Sequence, residues 1–323
     1  MAKWLLVGDP HAVADELDDM QALIDGIIAT VEAESPNYLV FLGDQHHNHA
    51  LVHVEVLAFW RQAFKRLTAL CPVYALVGNH DMPGDAGSKA HAMMAYAGTG
   101  VRVVDRAIQA DGCLLLPYRH TEAEFLADLS NFPKEGVVFC HQTFDGSKFE
   151  NGFFAKDAID VSSFKDRTFI SGHIHAPQRF DNVLYVGAPR WRSLSDIGVE
   201  RALVLVEIVD GKLDKGKTFN TAQWCQKLVR LEDRQEAPLE LETNPRWKYI
   251  IDIYGSEDYI KSRKARWSGC RVRTFPTQSQ SKPVSESMGI SKAIQVFTDS
   301  YTPKFGTSPE VLRDMVNKRL VGL

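Results

Sequence analysis

No stretch of this sequence approaches the 18 or so uncharged apolar residues that a helical membrane span needs, so a protein that crosses the bilayer on helices is not expected. No apolar segment with a small-residue cleavage site follows Met1. Lys3 leads directly into WLLVG and then charged residues, which argues against a secretory signal. Cysteines are few. Cys71, Cys113, Cys140, Cys225 and Cys270 are scattered, odd in number and without a CxxC pair, which argues against a disulfide framework and a structural zinc site. A reducing cytoplasm is the expected compartment. Neither sign of charge dominates: 37 Lys and Arg stand against 41 Asp and Glu, a formal charge of -4. That balance excludes no partner, because a basic face can sit on a mildly acidic protein. Internal repeats are absent as well.

What is present supports a folded enzyme of more than one part. A hydrophobic fraction of 45% is ample for a buried core. At 323 residues the chain exceeds one average domain, so a main domain of about 200 residues plus an appendage is the natural expectation. Strand-like runs at Lys3–Val7, Tyr38–Leu42 and Val73–Val77 alternate with amphipathic stretches over Glu16–Glu34 and Leu51–Leu70, the pattern of βαβ units and a largely parallel sheet. Further strands are expected at Val101–Val104, Cys113–Leu116, Val137–Cys140, Thr168–Ser171, Val183–Val186 and Ala202–Ile208. So many strands with few helices point to two sheets between outer helices, an α/β four-layer αββα sandwich over residues 1–220. A smaller βαβ unit follows within 221–276, from a strand at Trp247–Tyr254, a helix at Glu257–Trp267 and a strand at Cys270–Phe275. Over 277–323, a Ser, Gln and Pro-rich linker at Thr277–Ser287 precedes two C-terminal helices, Ser287–Ser300 and Ser308–Leu320.

In α/β sheets, the loops at the carboxyl ends of strands carry the chemistry. Here those loops hold GDPH (Asp9, His11), GDQHH (Asp44), GNHD (Asn79, His80, Asp81), the His141 that ends VVFC, and GHIH (His173, His175). Any one of them alone reads as a turn or a surface histidine. Together they supply carboxylate, amide and imidazole donors, a mixture that suits Mn, Fe or Zn better than the oxygen-loving Mg. A carboxylate such as Asp44, with two oxygens, can bridge two cations.

These five clusters resemble the signature motifs of the calcineurin-like metallophosphoesterases, over about residues 1–210. The resemblance implies two divalent cations, Mn2+ foremost, one held by Asp9, His11, Asp44 and His175 and the other by Asp44, Asn79, His141 and His173. His80 would then be free to protonate a leaving alkoxide, as an imidazole with an ordinary pKa near 6.5 can, and Asp81 would orient it. GDQHH lacks the GDxVDRG extension of protein phosphatases and is similar to the GDxxH of SbcD-type DNA nucleases, with His47 as the extra catalytic histidine. His46, His49 and His53 are expected to be solvated. YVGAPRWRSLS at Tyr185–Ser195 and HQTFDG at His141 resemble the same nucleases. In them a small capping domain engages DNA, which the βαβ unit resembles.

From 245 to 292 there are ten basic residues against four acidic ones, as phosphate contact requires. Arg190, Arg192, Lys261, Arg263, Lys264 and Arg266 are the expected DNA contacts, although a solvated helix face would also carry such cations. The resemblance further implies a homodimer through helices such as Leu51–Leu70, and an SbcC/Rad-type SMC ATPase partner gripped by the C-terminal tail. In length the chain is similar to compact versions carried by phages. The competing expectation is a stand-alone small-molecule or cyclic-nucleotide phosphodiesterase of the same family.

Overall fold

The structure, a computed structural model, describes residues 1–277 apart from 50, 85–89, 151, 157 and 245. The two expected C-terminal helices, and all of the linker beyond Thr277, lie outside the described residues. The strands are β1 (Ala2–Val7), β2 (Tyr38–Phe41), β3 (Val73–Leu76), β4 (Arg102–Val104), β5 (Ile108–Ala110), β6 (Cys113–Leu115), β7 (Gly136–His141), β8 (Arg167–Gly172), β9 (Gln178–Phe180), β10 (Val183–Tyr185), β11 (Ala202–Val209), β12 (Lys212–Asn220), β13 (Lys227–Arg234), β14 (Trp247–Gly255) and β15 (Arg271–Pro276). Among them run helices α1 (Leu17–Glu34), α2 (Val54–Thr68), α3 (Glu122–Ser130) and α4 (Glu257–Arg266).

Two six-stranded sheets form the larger unit, in the orders β12-β11-β1-β2-β3-β4 and β5-β6-β7-β8-β10-β9. The layering follows from the period of two along each strand. Leu5 and Val7 of β1, with Leu39, Phe41, Val73 and Ala75, face α1 and α2. Their neighbours Trp4, Leu6, Val40, Leu42, Tyr74 and Leu76 face Leu115, Val137, Phe139 and Ile170 of the second sheet. The other side of that sheet, through Leu114, Val138, Cys140 and Phe169, packs on Phe125 and Leu129 of α3. The order is therefore helix, sheet, sheet, helix, as expected.

Met20, Leu23, Ile24, Ile27 and Val31 make one buried stripe on α1, since spacings of three, four and seven return to the same face. Each such side chain contributes about 1.5–3 kcal/mol by leaving water. Thr121 and Glu124 close a reciprocal cap on α3, with Glu124 N donating to Thr121 Oγ1 (3.2 Å) and Thr121 N donating to Glu124 Oε2 (3.1 Å).

The chain divides into two compact units, the first Met1–Arg230 with Glu242–Tyr249, the second Leu231–Leu241 with Ile250 onward. That division is later than the expected boundary at 220 and discontinuous. In the smaller unit β14 and β15 run parallel around α4. Its buried hub is Asp233, which accepts from Tyr259 Oη (2.7 Å), Leu239 N (3.0 Å), Arg263 Nε (2.6 Å) and Trp267 Nε1 (2.6 Å). Arg263 is thus a corrected expectation: its guanidinium ties α4 to Asp233, to the Leu239 carbonyl and to Glu240, and little of it is exposed. Arg266 also pairs with Glu240, at 2.6 Å, although it stays accessible. Lys261 and Lys264 are exposed.

Candidate functional site

Parallel pairing of β1, β2 and β3, and of β6, β7, β8 and β10, brings all five polar clusters to the carboxyl ends of their strands. Two groups result. Asp9, His11 and His175 each offer a donor atom within 4.8 Å of the others, and so do Asp44, His141 and His173. His11 Nε2 and His175 Nε2 stand 2.9 Å apart. Asn79 Oδ1 lies 2.9 Å from His141 Nε2 and 2.8 Å from His173 Nδ1. Between the groups sits Asp44 Oδ2, 3.6 Å from His11 Nε2 and 3.3 Å from His141 Nε2. One carboxylate oxygen therefore touches both.

The main chain is bent to achieve this. His11, Asp44 and His173 take φ values of 45°, 53° and 79°, the left-handed region that side chains other than glycine seldom adopt. Local bonds hold them there: His11 N donates to Asp44 O (2.9 Å), His80 N donates to Asp44 Oδ1 (2.8 Å) and His173 N donates to Asp9 Oδ1 (2.7 Å). Glycines clear the space. At Gly43, with φ 112°, an added Cβ would lie 2.3 Å from His141 Nδ1, and at Gly78 it would lie 2.2 Å from Asp44 Oδ1. Only glycine fits against those donors.

Backbone carbonyls also set the rings. His11 Nδ1 faces His46 O (3.1 Å) and His141 Nδ1 faces Leu42 O (2.7 Å), so each Nδ1 carries the hydrogen and each Nε2 turns into the site. Burial drives His11 well below the usual imidazole range, and burial with the His141 charge puts His173 at about 3. Burial alone would also lower His141, but the adjoining Asp44 and Asp9 carboxylates outweigh it and hold that ring at about 9. Asp44 shows the reverse balance: burial pushes it up, yet His141, His11 and His80 leave it far below the ordinary carboxylate range.

These residues fit a cation centre. Asp9 Oδ2 is buried with no hydrogen-bond partner, a costly arrangement for a carboxylate oxygen in a protein interior. Two imidazole nitrogens facing each other at 2.9 Å are likewise compatible only with a proton between them or a cation that both can ligate.

The calcineurin-like phosphoesterase family model matches residues 2–177, more than half of the chain and all five clusters. The chain belongs to this family. It is a metal-dependent phosphoesterase of the calcineurin-like type, and the divalent cations that such enzymes use have an evident place among the donors described. "Putative phosphoesterase 244L" of Invertebrate iridescent virus 6 is 26% identical over 278 residues, covering 81% of this chain and 97% of its own. "Putative phosphoesterase 078R" of Invertebrate iridescent virus 3 is 24% identical over 323 residues, 94% of this chain and 92% of its own. Among solved structures, the phosphoesterase Yfce of E. coli superposes at a TM-score of 0.32 with 13% identity, over 68% of this chain and 100% of its own, a likeness too low to carry weight. No described helix of this phosphoesterase is long and apolar enough to cross a membrane.

The rim of the site holds the other expected residues. One ring nitrogen from each of His11, His47 and His80 lies within 4.8 Å of the other two. His80 Nδ1 faces the His47 carbonyl, its ring stacks on His49 at 4.0 Å, and Arg192 NH1 donates to His47 Nδ1 (3.0 Å). Burial first, then Arg192 and His80, bring His47 down to about 4. Asp81 does not orient His80, contrary to expectation. In the 3₁₀ turn Asn79–Asp81 the two side chains point apart, and Asp81 is buried against His46 Nδ1 (2.7 Å) and Gly78 N (2.9 Å).

His46 is correspondingly buried rather than solvated. Arg190 is corrected too: it is 1% exposed, with NH1 on Asp19 (2.9 Å) and Glu16 (3.3 Å) and NH2 on the Pro10 and His11 carbonyls, so DNA cannot reach it. It buttresses the loop that carries Asp9 and His11.

Sequence reasoning passed over two neighbours. Tyr118 stacks on His173 at 5.9 Å, and Glu150 Oε1 accepts from His175 N (2.7 Å) and Ala176 N (3.1 Å). Tyr118 follows a buried strand, as the clusters do, which was an available signal. Glu150 comes from a loop nine residues past His141, and no motif marks it.

Proposed function

We propose that this phosphoesterase cleaves phosphodiesters, with DNA as substrate, using two divalent cations held by Asp9, His11, Asp44 and His175 on one side and by Asp44, Asn79, His141 and His173 on the other. The observation that carries the two-cation reading is the place of Asp44 Oδ2 between the two donor groups, 3.6 Å from His11 and 3.3 Å from His141. Mixed nitrogen and oxygen donors suit Mn2+. Bound there, the cations would supply the positive charge that makes a water nucleophilic near neutral pH and offsets charge growing on the phosphoryl oxygens.

The chain's own residues then divide the remaining work. His80, outside both donor groups, gives its Nδ1 hydrogen to the His47 carbonyl, which leaves Nε2 to hold and hand over a proton to the leaving oxygen. His47 is neutral at physiological pH, and its Nδ1 is taken by Arg192, so it offers a hydrogen at Nε2 and serves to orient a phosphate oxygen rather than to protonate anything. Arg192, steadied by Glu16 Oε2 (3.1 Å), adds a cation at the same rim.

DNA is favoured over other diesters by the GDQHH and YVGAPRWRSLS resemblances and by the accessible cations Lys261, Lys264 and Arg266. An SMC-type ATPase partner and a homodimer belong to the same proposal, and both rest on the sequence resemblance alone. The rival substrate, a small diester, gains from the acidic partners of Arg263 and Arg266, which reduce the positive surface of α4.

Replacing Lys261, Lys264 and Arg266 together by Gln tests the choice. For a DNA enzyme the substitution should weaken duplex binding and flatten its salt dependence by about 0.9 in log–log slope for each backbone phosphate no longer neutralised. Turnover of an aryl phosphodiester should be unchanged. An unaltered salt slope, or no duplex binding by the unmodified chain, would transfer the assignment to the small diester.

A further inference from the structure

We infer that His46 is a positioning residue of the metal centre, acting through Asp81 and Tyr96 to hold the Asn79–His80 turn against Asp44. The inference rests on the proposed ligand set. Among the residues that follow the second strand, His46 occupies a place where an imidazole should be expensive: it is 1% exposed, and Asp81 beside it is also 1% exposed. Every side-chain polar atom of the pair is satisfied. His46 Nδ1 donates to Asp81 Oδ1 (2.7 Å), which leaves Nε2 to accept from the buried Tyr96 hydroxyl (2.6 Å), and the two rings are nearly parallel at 7°. The His46 main-chain N also donates to Asp81 Oδ1 (3.1 Å).

What Asp81 does with this support gives the network its purpose. Its second oxygen accepts from Gly78 N (2.9 Å), the residue immediately before Asn79, and the same turn sends His80 N to Asp44 Oδ1 (2.8 Å). On its other side the His46 carbonyl faces His11 Nδ1 (3.1 Å). One residue therefore joins the loops carrying Asp44, Asn79 and His80, through its side chain, to the loop carrying His11, through its main chain. A buried histidine that merely filled space would need none of this. An apolar residue of similar size would fill the same volume without the cost of desolvating two rings and a carboxylate.

A side-chain substitution leaves the His46 carbonyl in place, so its effect should fall on one donor group and spare the other. The test is calorimetric titration with Mn2+ of the full chain and of Tyr96→Phe, His46→Phe and His46→Gln, together with kcat and KM on an aryl phosphodiester. Tyr96→Phe removes one hydroxyl and little else. It should weaken one of two Mn2+ binding events about tenfold, the scale of one buried hydrogen bond, while the other stays within twofold. His46→Phe should weaken the same event further and lower kcat with KM little changed. His46→Gln, whose amide can still donate to Asp81, should recover part of both losses.

Equal weakening of both events, or an unchanged isotherm with only a lower melting temperature, would overturn the inference and make the network a matter of stability. An unmodified chain that binds fewer than two ions would overturn the ligand reading and this inference with it, so the two failures are told apart by the unmodified protein.

Discussion

Asp44→Ala is expected to empty both cation sites at once and to stop hydrolysis of every substrate. The expectation follows from the position of one oxygen, Asp44 Oδ2, which lies 3.6 Å from His11 Nε2 in one donor group and 3.3 Å from His141 Nε2 in the other. The substitution also removes the acceptor that holds His80 N and the carboxylate that balances His141. Cation catalysis provides several kcal/mol, and each 1.4 kcal/mol is tenfold, so turnover should fall by roughly 10³-fold or more. Elemental analysis of the dialysed variant should find little bound metal. Two retained ions and near-normal turnover would show that Asp44 is not the bridge.

His80→Ala is the complementary case. His80 lies outside the two donor groups proposed to ligate, and its main-chain bond to Asp44 survives the change, so both cations should stay while turnover drops by about 10²–10⁴-fold, the usual range for a missing general acid. The loss should shrink for an aryl phosphodiester, because a phenolate departs with less need of a proton than an alkoxide. Loss of a cation from this variant would instead make His80 a ligand.

Much of the fold was legible because it is written in local periodicity. Leu5 and Val7 alternate with Trp4 and Leu6, and each set found its own layer. β12 was not foreseen, because Lys212–Asn220 is an exposed, polar edge strand whose place is set by pairing with β11 and not by a hydrophobic pattern. α3 was also missed, although Thr121 and Glu124 spell a capping box three residues apart, a signal that could have been used. The division between units escaped notice for another reason. Glu242–Tyr249 returns to the larger unit after Leu231–Leu241 has left it, and no composition shift accompanies that return.

The metal-binding candidates were the most legible part of the site, since each follows a strand and the parallel sheets gather strand ends. Charge proved a poorer guide. Arg190 and Arg192 are two residues apart, yet one is sealed beneath the Asp9 loop and the other stands at the rim beside His47. Arg263 turned inward to Asp233, and His46 turned inward to Asp81, because each found a buried carboxylate that only the tertiary fold supplies.

The central claim, a two-cation centre bridged by Asp44, is tested most directly by titrating chelator-stripped protein with Mn2+ at pH 7, in buffers of different protonation enthalpy, while aryl phosphodiester turnover is followed in parallel. Two ions per chain are expected, with turnover appearing only when both are bound. A proton should be released on uptake, because His141, held at about 9 in the metal-free protein, is charged at pH 7 and must become neutral to ligate. Affinity should accordingly rise with pH up to about 9 and level off above it. Full turnover with a single ion, or turnover by the stripped protein, would contradict the claim.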